Sequence, residues 1–223
     1  MKKILKINAT SIVEAMVVML IVVTGVVGMY NILTKSTQLT TNVKNKIQAI
    51  QIARQGIEAF TNIRDTNWIL FSSDYLNCWN VLNYNPQCIG DDGGINDTDG
   101  NATTYDIKEN QNYKIYLNED NRWILENTSN FTPNNFSNSD YRNFFKVGLN
   151  NGIYTQSGIT EELIPFYTRE IKVNYLQEDG ITNGNESDPK IKISSIVQRI
   201  DNTSSQAHKI VIEQVLSNWK SKK

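Results

Sequence analysis

Residues 15–33 are nineteen consecutive positions without a charge. At 1.5 Å per residue, a helix over them covers about 28 Å, close to the roughly 30 Å hydrocarbon core of a bilayer. Such a run has to end up in lipid or against other apolar surface. Three cations, Lys2, Lys3 and Lys6, precede it, and one carboxylate, Glu14, stands directly at its mouth. A carboxylate carried to the membrane centre costs on the order of 2.5–3.5 kcal/mol, so a chain that keeps one beside this run is expected to use it. Between the lysines and Glu14 lie a small residue and two hydroxylic ones, Ala9, Thr10 and Ser11, then Ile12 and Val13.

A secretory signal peptide also begins with a basic leader, but its apolar core spans about 7–15 residues and ends at a small-residue cut site. Here the run is longer, and no such site follows it. The segment is expected to stay attached, with the leader lysines holding the N-terminus in the cytoplasm. Lys35, Lys44 and Lys46 beyond the run pull mildly the other way. Ser11 and Glu14 also have the spacing of a capping box, in which the hydroxyl and the carboxylate satisfy open backbone donors at a helix start. Capping and a role in assembly are compatible for Glu14.

The order of basic leader, small residue, hydrophobic pair, glutamate and long apolar helix resembles the type IV prepilins, precursors of pilus and pseudopilus subunits. The resemblance implies removal of residues 1–9 by a membrane peptidase that cuts between Ala9 and Thr10. It implies methylation of the new Thr10 amine, and it makes Glu14 the fifth residue of the mature chain. Ala9 stands where the family usually has Gly, and Thr10 where it usually has Phe or Met. The partners implied are other pilin subunits, the prepilin peptidase, an inner-membrane assembly platform and, before assembly, membrane lipid. The specific part of the resemblance covers residues 2–34 alone. A different class of protein shares the anchor: a single-pass, non-polymerising extracellular binding domain, which would keep its first nine residues.

Beyond the run the apolar density falls but a helical period persists. Leu39, Val43, Ile47, Ile50, Ala53, Ile57, Phe60 and Ile63 recur at steps of three and four, an amphipathic stripe that suits packing on a sheet. One helix over residues 10–63 would be about 80 Å long, stopping near Arg64-Asp65-Thr66-Asn67. The division expected is leader 1–9, transmembrane and assembly helix 10–34, amphipathic helix 35–64 and an extracytoplasmic β-rich domain 65–223.

Residues 68–112 read as loop. They hold the only two cysteines, Cys78 and Cys88, which outside the cytoplasm are expected to pair; two unpaired thiols are the alternative. The run 90–101 is rich in Gly, Asp and Asn and reads as a solvated loop. Asp97, Asp99 and Gly100 match a calcium loop only in part, because Ile95 occupies its first ligand position. From Tyr113 the period changes to two. Residues 113–117 and 122–126 read as one hairpin, and 144–149 and 153–156 as another around Asn150-Asn151-Gly152. Residues 127–143 read as a long loop and 161–164 as a helical turn. Strands are expected at 166–176, with Tyr167, Ile171, Val173 and Tyr175 on its apolar side, and at 190–200 and 208–219. A long helix followed by antiparallel strands is an α+β pattern.

Charge and chemistry narrow the function further. The 223-residue chain has 22 basic and 23 acidic residues. Losing Lys2, Lys3 and Lys6 leaves 19 against 23, a net −4, without the basic surplus of a nucleic-acid binder. His208 is the single histidine, and no nucleophile elbow or phosphate-binding loop occurs. No catalytic residue, metal site or cofactor is expected. Trp68, Trp79, Trp123 and Trp219 read as core or loop anchors.

Overall fold

The structure, a computed structural model, describes residues 12–89, 106–108, 111–127, 138–176, 190–199 and 208–217. The chain divides into two compact units, Met1–Lys46 and Ile47–Lys223. Helix α1, Ile12–Leu70, contributes to both. The architecture is α+β, a long N-terminal helix and a C-terminal antiparallel sheet.

In the first unit, every side chain of α1 from residue 12 to residue 44 is exposed. The second unit holds the sheet. Its strands are β1 (Asn112–Leu117), β2 (Trp123–Asn127), β3 (Lys146–Asn150), β4 (Ile153–Thr155), β5 (Glu161–Leu176), β6 (Lys190–Arg199) and β7 (His208–Ser217). All their pairings are antiparallel. The sixteen-residue β5 is the axis. Its residues 167–176 pair with β6, which pairs with β7. Ile171 and Lys172 pair with the start of β1, and residues 161–168 pair with β3. Because β6 already occupies one edge of β5 through 167–176, β1 and β3 must share the other. They follow one another along it, and the sheet forks there into the β1–β2 and β3–β4 hairpins.

The packed face of α1 is set by small and apolar residues at helical spacing: Ala49, Ile52, Ala53, Ile57, Phe60 and Ile63 are all buried. Two apolar clusters result. One joins Ala49, Ile52 and Ala53 to Val147, Tyr167 and Val197. The other joins Ile57, Phe60 and Ile63 to residues of β1, β5 and β6 such as Ile115, Val173 and Ile193. Gly56 lies between them. A Cβ there would stand 2.8 Å from Ser195 Oγ, 2.9 Å from Ile171 Cδ1 and 3.0 Å from Arg169 Cδ, so only glycine lets helix and sheet approach this closely.

Several expectations need correction. Of the expected stripe, Leu39, Val43 and Ile47 are exposed; the buried apolar positions of the helix begin at Ala49. The helix does not stop at Asn67. Asn67 is fully buried and donates through Nδ2 to Val81 O at 2.9 Å, while Trp68 is buried under the Arg64 guanidinium, 4.5 Å from the ring centroid. Tertiary contacts thus carry the helix through residues that read as a stop. Within the expected loop 68–112 lie a one-turn helix α2, Tyr75–Cys78, and two 3-10 turns, Leu82–Tyr84 and Pro86–Cys88.

Part of the expected loop 127–143 is helix α3, Ser139–Phe145, capped by Asn138 Oδ1 accepting from the Asp140 amide at 2.7 Å. Phe144 therefore belongs to the last turn of a helix, and the strand starts at Lys146. Residues 161–164 are not a helical turn but the beginning of β5, held in register by Leu149↔Glu161 and Gly148↔Glu162. Both hairpins are present, with Asn151 (φ 50°) and Gly152 (φ 80°) making the two-residue turn between β3 and β4. Ser11, the 90–101 run and Trp219 lie outside the described residues.

Candidate functional site

The feature most in need of a partner is the first half of α1. A side chain turns by about 100° per residue in an α-helix, so four successive positions sample all sides. Leu20, Ile21, Val22 and Val23 expose 67%, 62%, 56% and 59% of their surface, so the helix is bare and apolar all round. Monomeric soluble proteins rarely carry apolar surface of this extent in water.

The backbone of a helix satisfies itself, which is the condition for entering hydrocarbon. The hydroxyls here do the same. Thr24 Oγ1 donates to Leu20 O at 2.9 Å, and Thr34 Oγ1 donates to Tyr30 O at 2.9 Å. Neither hydroxyl asks for an outside partner, so both enter an apolar environment at little cost. A Cβ added at Gly25 or Gly28 would meet nothing within 4 Å, so their bare backbone is open to a neighbour. The helix is long and apolar enough to cross a membrane once, near the N-terminus.

Glu14 sits in the first turn of α1, exposed. The open N–H groups of a helix start favour a negative charge at that place, which makes the carboxylate compatible with the helix end while leaving its oxygens available to a partner. Ala9 and Thr10, the residues of the expected cut, lie outside the described residues.

Cys78 and Cys88 are joined by a disulfide, with Cα atoms 5.3 Å apart. The bridge is buried with Phe71 and Val81. The ring it closes carries Asn83, whose Oδ1 accepts from the Leu125 amide and whose Nδ2 donates to Leu125 O, both at 3.0 Å. Tyr84 OH donates to Trp123 O at 2.9 Å. Together these satisfy backbone groups of β2, the outer strand of its hairpin, and close an edge that would otherwise be open for pairing.

Two buried polar groups escaped sequence reasoning. Arg169 is fully buried between the two apolar clusters. Its Nη2 donates to Ile115 O at 2.8 Å, its Nη1 to Ile52 O and Gln55 Oε1 at 3.3 Å, and its Nε to Gln156 Oε1 at 3.3 Å. Burial pulls its pKa down to about 9, which leaves it cationic at neutral pH. Gln156 accepts from the Ile115 amide at 3.0 Å and donates to Arg169 O at 2.7 Å and Phe145 O at 2.9 Å. The pair fills the fork where β1 leaves β5 and satisfies the Ile115 backbone that lost its strand partner. On the other face of the sheet, Tyr141 of α3 donates to the buried Glu170 carboxylate. Burial first, then the Glu170 charge and the hydrogen bond to it, hold the Tyr141 phenol well above its ordinary pKa.

Among the described residues, no group of three or more His, Cys, Asp or Glu side chains could hold a metal ion. His208 is exposed at the start of β7. No family model, curated protein or solved structure matches the chain.

Proposed function

We propose that the chain is a type IV pilin-like subunit, a minor pilin or pseudopilin, that is anchored in a membrane by α1 and then packed into a filament through the same helix. The observation that carries this reading is the bare apolar half of α1 with a lone carboxylate in its first turn. On this reading the prepilin peptidase removes residues 1–9 and methylates the Thr10 amine. The N-terminus faces the cytoplasm, and the sheet lies outside it. The assembly platform then draws subunits out of lipid.

Glu14 acts in recruitment and register. An unpaired charge in low dielectric costs several kcal/mol, and much of that is regained when it meets the Thr10 amine of an adjoining subunit. The apolar helices meanwhile exchange lipid contacts for protein contacts, aided by the open backbone at Gly25 and Gly28. Glu14→Ala is expected to give a subunit that inserts and is processed normally but enters filaments poorly. Immunoblots of sheared surface fractions against membrane fractions read this out, and normal incorporation of the variant would sink the proposal.

A further inference from the structure

The fork in the sheet leaves a cleft of about 320 Å³ between the tips of the β1–β2 and β3–β4 hairpins. That volume is at the lower end of the range for small-ligand sites. Four amides line it, Asn118 and Asn121 from one tip and Asn150 and Asn151 from the other, with Leu117 and Ile153 as apolar surface. The amides are largely uncommitted. Among the described residues, Asn118 uses its Oδ1 alone, which accepts from the Arg122 amide at 2.8 Å. Among the described residues, the side chains of Asn121, Asn150 and Asn151 make no hydrogen bond.

Backbone groups point the same way. The Ile115 N–H and C=O are taken by Gln156 and Arg169 on the side of β1 away from β2, and the Asn118 amide bonds back to Arg122 O on the β2 side. Backbone direction alternates along a strand, so Leu117 turns its N–H and C=O toward the cleft.

The lining excludes several ligand classes. Among the described residues no Lys or Arg lines the cleft, so no cation there balances the charge of an anion. Among the described residues Glu119 is the single carboxylate in the lining, whereas calcium takes six to eight oxygens and usually several carboxylates. An added peptide strand, bonded to both prongs, needs two ladder spacings, roughly 9.5 Å, and Cα atoms of β1 and β4 already approach within 8 Å. What remains is a neutral ligand dense in hydroxyls. Each hydroxyl donates and accepts, and each Asn amide does both as well.

We infer that the cleft between the two hairpin tips is a binding site for a small neutral saccharide, read by Asn118 and Asn150 from opposite prongs. A single hexose has few atoms to bind with, so the dissociation constant for a monosaccharide is on the order of a millimolar. The site stands on the sheet alone and does not depend on how the N-terminus is processed.

The test is saturation-transfer NMR on the full chain in lipid nanodiscs, with glucose, galactose, mannose, N-acetylglucosamine and N-acetylgalactosamine as separate probes. At least one sugar is expected to show transfer. Asn150→Ala and Asn118→Asp should each weaken binding by roughly tenfold; the second keeps the acceptor that the Arg122 amide needs and removes the donors. Unchanged melting midpoints confirm that both variants fold, and Asn150→Ala alone decides if the other does not. Absence of transfer from every sugar, transfer that survives in the folded variants, or binding of calcium chloride in place of a sugar would each overturn the inference.

Discussion

Gly56→Ala asks whether the close approach of α1 to the sheet is what the second unit depends on. In an exposed helix interior the change would stabilise by about 1 kcal/mol through backbone propensity. Here the new methyl meets Ser195 Oγ at 2.8 Å, Ile171 Cδ1 at 2.9 Å and Arg169 Cδ at 3.0 Å. Overpacking of this kind costs roughly 1–3 kcal/mol. Ile171 can rotate its terminal methyl away. Arg169 has less freedom, since its guanidinium is tied to Ile115 O at 2.8 Å and to Ile52, Gln55 and Gln156, and loosening a hydrogen bond from a charged group forfeits part of about 1.5–3 kcal/mol. The net expectation is a loss of about 2 kcal/mol.

For a chain of this size that lowers the melting midpoint by about 4–8 °C, read by circular dichroism on the full chain in detergent. Ser195→Ala supplies the second arm. Ser195 Oγ is buried without a hydrogen-bond partner among the described residues, so its removal sacrifices little and takes away the shortest of the three contacts. The double variant should recover about 1 kcal/mol of the Gly56→Ala loss, within the roughly 0.5–3 kcal/mol typical of touching residues. Gly25→Ala, where an added Cβ meets nothing within 4 Å, should cause no loss. A Gly56→Ala protein as stable as the parent would show that the helix and sheet do not need this close approach, as would strict additivity with Ser195→Ala.

The other expectations are simpler. Cys78→Ala with Cys88→Ala opens a ring closed by cysteines 10 positions apart and should cost about 2–3 kcal/mol, seen as a lower urea midpoint. Tyr141→Phe should cost about 1.5–3 kcal/mol at neutral pH, the worth of a hydrogen bond to a buried charge. Its pH dependence has a definite sign. The Tyr141 pKa is raised on folding, so its stabilising contribution is whole below the unfolded value near 10 and drains away above it. The gap in stability between parent and Phe variant should therefore shrink from about pH 10 upward; a gap that widens there would contradict the assignment.

Elements with clean periodicity were legible in the sequence. The apolar half of α1, the alternation at 166–176 and both hairpins announce themselves through spacing and turn residues alone. Elements held by tertiary contacts were not. Nothing local distinguishes Asn67 as a buried anchor for Val81 O from the helix stop it resembles. Asn138 is one asparagine in an Asn-rich stretch, and only its bond to the Asp140 amide identifies it as the cap of α3. Residues 161–164 are mostly exposed, so they show no alternation although they pair with β3.

Arg169 left a sign that could have been read. It shares the parity of Tyr167, Ile171, Val173 and Tyr175, so the alternation itself places a cation on the buried face. Such a residue needs acceptors, and Gln156, the last residue of the expected hairpin strand, provides one. The amide cleft, by contrast, arises from the fork in the sheet, which depends on two hairpins sharing one edge of β5 and has no local signature.

On the proposed function, α1 serves assembly from a trimmed end. Intact-mass and N-terminal peptide spectrometry of the protein isolated from its native membrane decides this. The predicted result is a chain that begins at Thr10 and carries one added methyl on its amine. A chain that still begins at Met1, formylated or not, while present at the cell surface would contradict it and leave an anchored binding domain in its place.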